Sequence, residues 1–301
     1  MKQPLFTGSA VAAVTPFSGG AVDYPAFRRL IRRQVDRGSD AIVVCGTTGE
    51  AATLTPYERR QLLDEALREV DGRIPVVAGT GSNNTASAVE LSRDAQSLGA
   101  DGLLVVTPYY NKATQDGLVR HFTAVADAVD VPVILYNVPT RTGASCSAQT
   151  YATLAAHPNI IGVKEASGNF ALIADTRNLC PEDFFIWSGN DEDTVAVCSL
   201  GGVGVISVTA NLIPDEMHRL TALCLAQQYH EAARLQLSMT ALNRALFSEV
   251  NPIPIKTALA HLALCSSELR LPLTPMREEN AQRLFDAMAS YGIASEDNTE
   301  A

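Results

Sequence analysis

Only four lysines stand against nineteen arginines in the chain, and one of them, Lys164, closes an apolar run, Ile160-Ile161-Gly162-Val163. A lysine in water, with a pKa near 10.4, is neutral in about one molecule in a thousand at pH 7.4. Desolvation can lower that pKa toward about 7–8 and turn the amine into a nucleophile for a carbonyl. The alternative is a lysine that opens an exposed loop or pairs with a carboxylate such as Glu165. Tyr136 ends another apolar run, where a phenol could move the protons that carbinolamine dehydration and enamine formation require. A core tyrosine with a satisfied hydroxyl is the other reading. Thr47 and Thr48, between Gly46 and Gly49, could offer hydroxyls and backbone N–H groups to a carboxylate, or form an ordinary turn. Arg141 follows a Val-Pro turn, and its guanidinium can grip a carboxylate with paired hydrogen bonds, or simply lie on the surface. The meaning of these residues depends on whether the fold gathers them.

Short Val- and Ile-rich runs alternate with amphipathic ones from residue 9 to about residue 230. The spacing predicts strands at Ser9–Val14, Ala41–Cys45, Pro75–Ala78, Gly102–Thr107, Pro132–Tyr136, Ile160–Lys164, Phe184–Trp187 and Gly204–Val208. Continuous apolar strands suit a parallel sheet buried on both faces. Helices are expected at Tyr24–Asp36, Pro56–Val70, Thr85–Leu98, Gln115–Val129, Ser147–Ala156, Phe170–Leu179, Asp191–Leu200 and Pro214–Tyr229, with Thr55 capping the second. Eight such units match a (β/α)8 TIM barrel. A doubly wound sheet would usually carry a Gly-rich turn after its first strand, where this chain has Thr15-Pro16-Phe17. Three further helices are expected around Glu231–Phe247, Ile255–Cys265 and Arg277–Tyr291, and the acidic tail Ser295–Ala301 is expected to fray. The division is therefore a catalytic barrel over 1–230 and a C-terminal helical extension over 231–301. In a barrel the chemistry belongs at the C-terminal strand ends, and all the residues singled out above fall there.

Composition narrows the classes. With 33 acidic against 23 basic residues and a net charge of −10, no basic patch suggests nucleic acid. No run approaches a membrane span, and Ala10–Val14 is too short for a signal peptide, so a cytoplasmic protein is expected. Six scattered cysteines without a Cys-x-x-Cys pair read as buried small hydrophobes, with Cys265 among them. Five histidines include no zinc-binding i, i+4 pair, so no metal site is expected.

The stretches Gly46–Glu50, Ala78–Gly81, Thr107–Asn111, Leu135–Gly143, Ile161–Glu165 and Gly204–Asn211 together resemble the family of dihydrodipicolinate synthase and N-acetylneuraminate lyase, from Phe6 to Pro275. The resemblance implies condensation of pyruvate with L-aspartate 4-semialdehyde in lysine and diaminopimelate synthesis. It makes Lys164 the Schiff-base lysine and Tyr136, Thr48 and Tyr110 the proton relay, with Tyr110 entering a neighbouring subunit's site. It assigns Arg141 to the aldehyde's carboxylate and Thr47 and Thr48 to pyruvate, with Gly189 and Ile206 lining the site. It also implies a homotetramer, a dimer of dimers, and no cofactor, since the iminium is itself the electron sink.

Relatives that act on sialic or sugar acids commonly carry Ser in place of Thr47 and lack the context of Tyr109-Tyr110-Asn111 and Arg141. A pyruvate-dependent aldolase of that kind is the first alternative, and a non-catalytic keto-acid-binding barrel the second. Lysine-inhibited members use Ser, two His and Glu where this chain has Ala51, Pro56, Arg59 and Ser87, although Asn83 and Tyr109 remain. Weak or absent lysine feedback is the expectation.

Overall fold

The computed structural model describes residues 1–293 of the chain. The tail Ser295–Ala301 lies outside them. The strands are β1 (Gly8–Ala12), the two-residue β2 (Phe17–Ser18) and β3 (Ala21–Val22), β4 (Ala41–Val44), β5 (Val76–Gly79), β6 (Gly102–Val106), β7 (Val133–Asn137), β8 (Ile160–Glu165), β9 (Phe185–Ser188) and β10 (Gly204–Ser207). Eight of them close a barrel in the order β1-β10-β9-β8-β7-β6-β5-β4, with β4 returning to β1 and every pairing parallel. The fold is a (β/α)8 TIM barrel.

The antiparallel pair β2–β3 was not expected; it turns at Gly19-Gly20, both at positive φ, as a tight hairpin requires. The helices around the barrel begin where the sequence offers a cap. Thr55 forms a capping box with Glu58 ahead of Pro56–Val70, and Asn84, Thr114, Ser147 and Asn169 each accept a bond from the first turn of the helix that follows. The helix expected at Asp191–Leu200 is a 3-10 turn (Asp191–Asp193) running into Thr194–Ser199. Pro214–Leu225 ends four residues early, and the next helix, Tyr229–Ser238, runs across the 230/231 division, so no break separates barrel from extension there. The expected helix Glu231–Phe247 is broken at Met239, and Thr240–Leu246 follows. Ile253–His261 stops short of Cys265, which is only partly buried and lies outside the helix. Glu278–Tyr291 completes the extension.

Two apolar layers result. The larger lies between strands and helices, whereas Ala10, Ala12, Val43, Val77, Leu104, Ile134, Tyr136, Ile161, Trp187 and Ile206 form a separate cluster inside the barrel. Phe6 stands against Trp187 there, ring centroids 5.2 Å apart. Strict alternation would not let both Ile161 and Lys164 face the barrel interior. An irregularity in the β7–β8 ladder, where Val133 pairs Ile160 and Ile134 pairs Gly162, shifts the phase by one residue. Beyond it Ile134 to Asn137 run in step with Gly162 to Glu165, and Tyr136 comes beside Lys164. Gly162 permits the shift, since a Cβ there would meet the Phe185 carbonyl oxygen at 2.1 Å.

Candidate active site

At the C-terminal mouth a cavity of about 150 Å³ is lined by Thr47, Thr48, Tyr136, Arg141, Lys164 and Gly189, with Ala12, Val43 and Leu104 on its apolar side. Lys164 Nζ sits 4.4 Å from the centroid of the Tyr136 ring. Burial lowers its pKa to about 8; the Asp191 carboxylate pulls the other way, and the Arg141 guanidinium adds to the lowering. The amine is therefore largely protonated at neutral pH but has a usable neutral fraction. The pairing with Glu165 does not occur, because that carboxylate faces the helices and is bonded elsewhere.

Burial raises the pKa of the Tyr136 phenol, while Arg141 and a hydrogen bond with the Thr47 side chain oppose the rise. The hydroxyl beside the phenol is thus Thr47's. Thr48, the expected relay member, is instead 2% exposed, and its Oγ1 accepts a 2.9 Å bond from Asn251 Nδ2. Arg141 lies at the exposed rim on the short helix Pro139–Thr142, and its Nη2 donates to the Asn251 carbonyl at 3.4 Å. Gly189 lines the wall because nothing larger fits: a Cβ would meet Ala166 Cβ at 2.5 Å. Ile206 does not line this cavity. It is wholly buried in the apolar layer within the barrel.

Tyr110 stands apart from these residues, 89% exposed with φ of +72°, and lines neither cavity at the mouth of this single chain. Tyr109 beside it borders a second, larger cavity of about 360 Å³, together with Ala51, Arg59, Gly79 and Leu273.

Four contributors were not legible in the sequence. Asn251 and the partly exposed Phe247 reach the cavity from the extension. Lys256, in the same extension, pairs with Glu50 at 2.7 Å, both side chains essentially without exposure, and so anchors the end of the Gly46–Glu50 turn. A single charge in the apolar stretch Ile253–Leu259 was the available signal for Lys256. Asp191, the fourth, accepts bonds from Ser207 Oγ and the Val208 and Thr209 N–H groups, and is the negative group acting on Lys164.

A model of the dihydrodipicolinate synthetase family matches residues 5–290. The chain belongs to this family. It is 49% identical to the 4-hydroxy-tetrahydrodipicolinate synthase of Thermoanaerobacter sp. (strain X514), over 98% of this chain and all of the relative. The chloride-inhibited dihydrodipicolinate synthase of Acinetobacter baumannii, solved in complex with pyruvate, superposes with a TM-score of 0.94 at 42% identity, covering 96% of this chain and 99% of that one. The enzyme of Cyanidioschyzon merolae, solved with lysine bound, gives 0.94 at 41% identity over 97% of this chain and all of the other. Family members share one barrel, and here its mouth holds a buried lysine, a tyrosine and an arginine.

Proposed function

We propose that the protein is a lyase, a 4-hydroxy-tetrahydrodipicolinate synthase, condensing pyruvate with L-aspartate 4-semialdehyde. The buried Lys164 amine over the Tyr136 ring is the observation that carries this reading. Neutral Nζ adds to C2 of pyruvate, and the carbinolamine loses water to give an iminium. Loss of a C3 proton yields the enamine, whose carbon attacks the aldehyde. The amino group of the semialdehyde then displaces Lys164 from C2 and closes the ring. No metal or organic cofactor is required for these steps, since the protonated imine draws the electrons.

Tyr136 and Thr47 move the protons, and Tyr110 joins them from a neighbouring subunit of a tight dimer within a homotetramer. The exposure of Tyr110 supports that assignment. Thr47 and Thr48 hold pyruvate's carboxylate, and Arg141 takes that of the aldehyde by a paired hydrogen bond. A cytoplasmic location fits six free cysteines, five of them buried. Lysine feedback is weak or absent, because Arg59 places a cation where an α-ammonium would need an anion.

Borohydride reduction with pyruvate, followed by mass spectrometry, tests the reading. A pyruvate adduct on Lys164, lost in Lys164→Ala, is expected; its absence from the native protein sinks the proposal. Assay with L-aspartate 4-semialdehyde against N-acetylneuraminate separates synthase from aldolase.

A further inference from the structure

The strand that ends in Lys164 continues one residue to Glu165, which faces the opposite way, into the layer between barrel and helices. Its carboxylate is 3% exposed, and no cation among the described residues pairs with it. Such a charge persists in a protein interior only when donors surround it. Asn137 Nδ2 donates to both oxygens at 3.0 and 3.2 Å, Tyr151 Oη to Oε2 at 2.8 Å, and the Ser167 N–H to Oε1 at 2.9 Å.

Asn137 and Glu165 are register partners, as are Tyr136 and Lys164 just before them. The pair inside the barrel performs the chemistry, and the pair outside fixes how the two strands lie. The same amide also closes the loop that carries Arg141. Because an ionised carboxylate only accepts, it holds Asn137 with the NH2 toward Glu165 and leaves Oδ1 to accept from the Cys146 N–H at 3.2 Å. Nδ2 additionally reaches Ser145 Oγ at 3.2 Å. The nine-residue excursion from Asn137 to Cys146 is thus tied at its base to one carboxylate.

We propose that Glu165 is a positioning residue of the active site, acting through Asn137 on the Tyr136–Lys164 geometry and on the Arg141 loop. The proposal rests on the Schiff-base reading above. Glu165→Gln supplies one acceptor oxygen where four bonds now converge on two. It should slow borohydride-trapped adduct formation on Lys164 about tenfold and raise KM for the aldehyde, since small misplacements of reacting groups are costly. The reversed pair, Asn137→Asp with Glu165→Gln, restores an amide–carboxylate bond and should recover the trapping rate to within about threefold of native. Tyr151→Phe removes only one peripheral donor and keeps the test open if Glu165→Gln does not fold; it should slow trapping about two- to threefold. Native trapping rates in Glu165→Gln or, where that variant does not fold, in Tyr151→Phe, overturn the proposal, as does a reversed pair that folds without recovering. Failure of the native protein to form any adduct instead overturns the Schiff-base reading.

Discussion

Asn251 donates from Nδ2 to Thr48 Oγ1 at 2.9 Å across 203 residues of chain, and its carbonyl accepts from Arg141. The extension therefore touches two residues that line the cavity, Thr48 and Arg141. An amide nitrogen only donates, so the Thr48 oxygen is committed as an acceptor on its buried side. The two adjacent threonines consequently differ in what their loss should do.

Thr47→Val should reduce kcat about 100-fold, in the range usual for a lost proton-transfer group. Thr48→Val should reduce it less than about tenfold but cost about 1–3 kcal/mol of stability, because Asn251 Nδ2 is left without its partner. Steady-state kinetics and urea unfolding of the two variants check this. Equal kinetic losses would refute the division of roles.

The pH dependence follows from Lys164. With a pKa of about 8 the amine is neutral in about one molecule in ten at pH 7, against about one in three thousand at its ordinary 10.5. The rate of adduct trapping should rise with pH and level off above about 8. Stability follows the same group. The unfolded chain keeps the proton up to 10.5 and the folded one only to about 8, so the burial cost is full below 8 and fades as pH climbs to 10.5. Lys164→Met should therefore stabilise the protein at pH 7, by about 3 kcal/mol at most, and by less at pH 10.

Arg141 has two effects with opposite experimental signatures. Arg141→Met should raise KM for the aldehyde substrate at least about tenfold, through loss of a charge-assisted pair. The guanidinium also lowers the Lys164 pKa, so the midpoint of the trapping profile should move to higher pH. A raised KM with an unmoved midpoint would limit the arginine to substrate binding.

Lysine at millimolar concentration should leave turnover unchanged. Arg59 donates to the Ala51 and Gly79 carbonyls and so occupies the wall of the larger cavity with a fixed positive charge. Strong inhibition by lysine would overturn this expectation.

Removing Lys256 alone strands a carboxylate. Lys256→Met should cost about 3–5 kcal/mol, whereas the double variant with Glu50→Gln should recover most of that loss. Urea unfolding of native, single and double variants gives the comparison.

The eight barrel strands were legible to within one or two residues because each is a continuous apolar run, and several helices because Thr55, Asn169 and similar caps mark where they start. The scarcity of lysine pointed to Lys164 before any contact was known. Which of Thr47 and Thr48 meets Tyr136 was not legible, since an irregular turn has no period from which to read a direction. The shift in β8 likewise breaks alternation at the strand carrying the nucleophile. Asn251, Lys256 and the work of Glu165 depend on contacts between distant segments, which local spacing does not encode.

The barrel interior holds the chain's single tryptophan. Trp187 is fully buried and is the register partner of Lys164 on the adjoining strand. Every photon the indole emits therefore originates one strand away from the reactive amine, with no second indole to dilute the signal. Occupancy of the site and collapse of the barrel can both be followed optically, on the native chain, without a label.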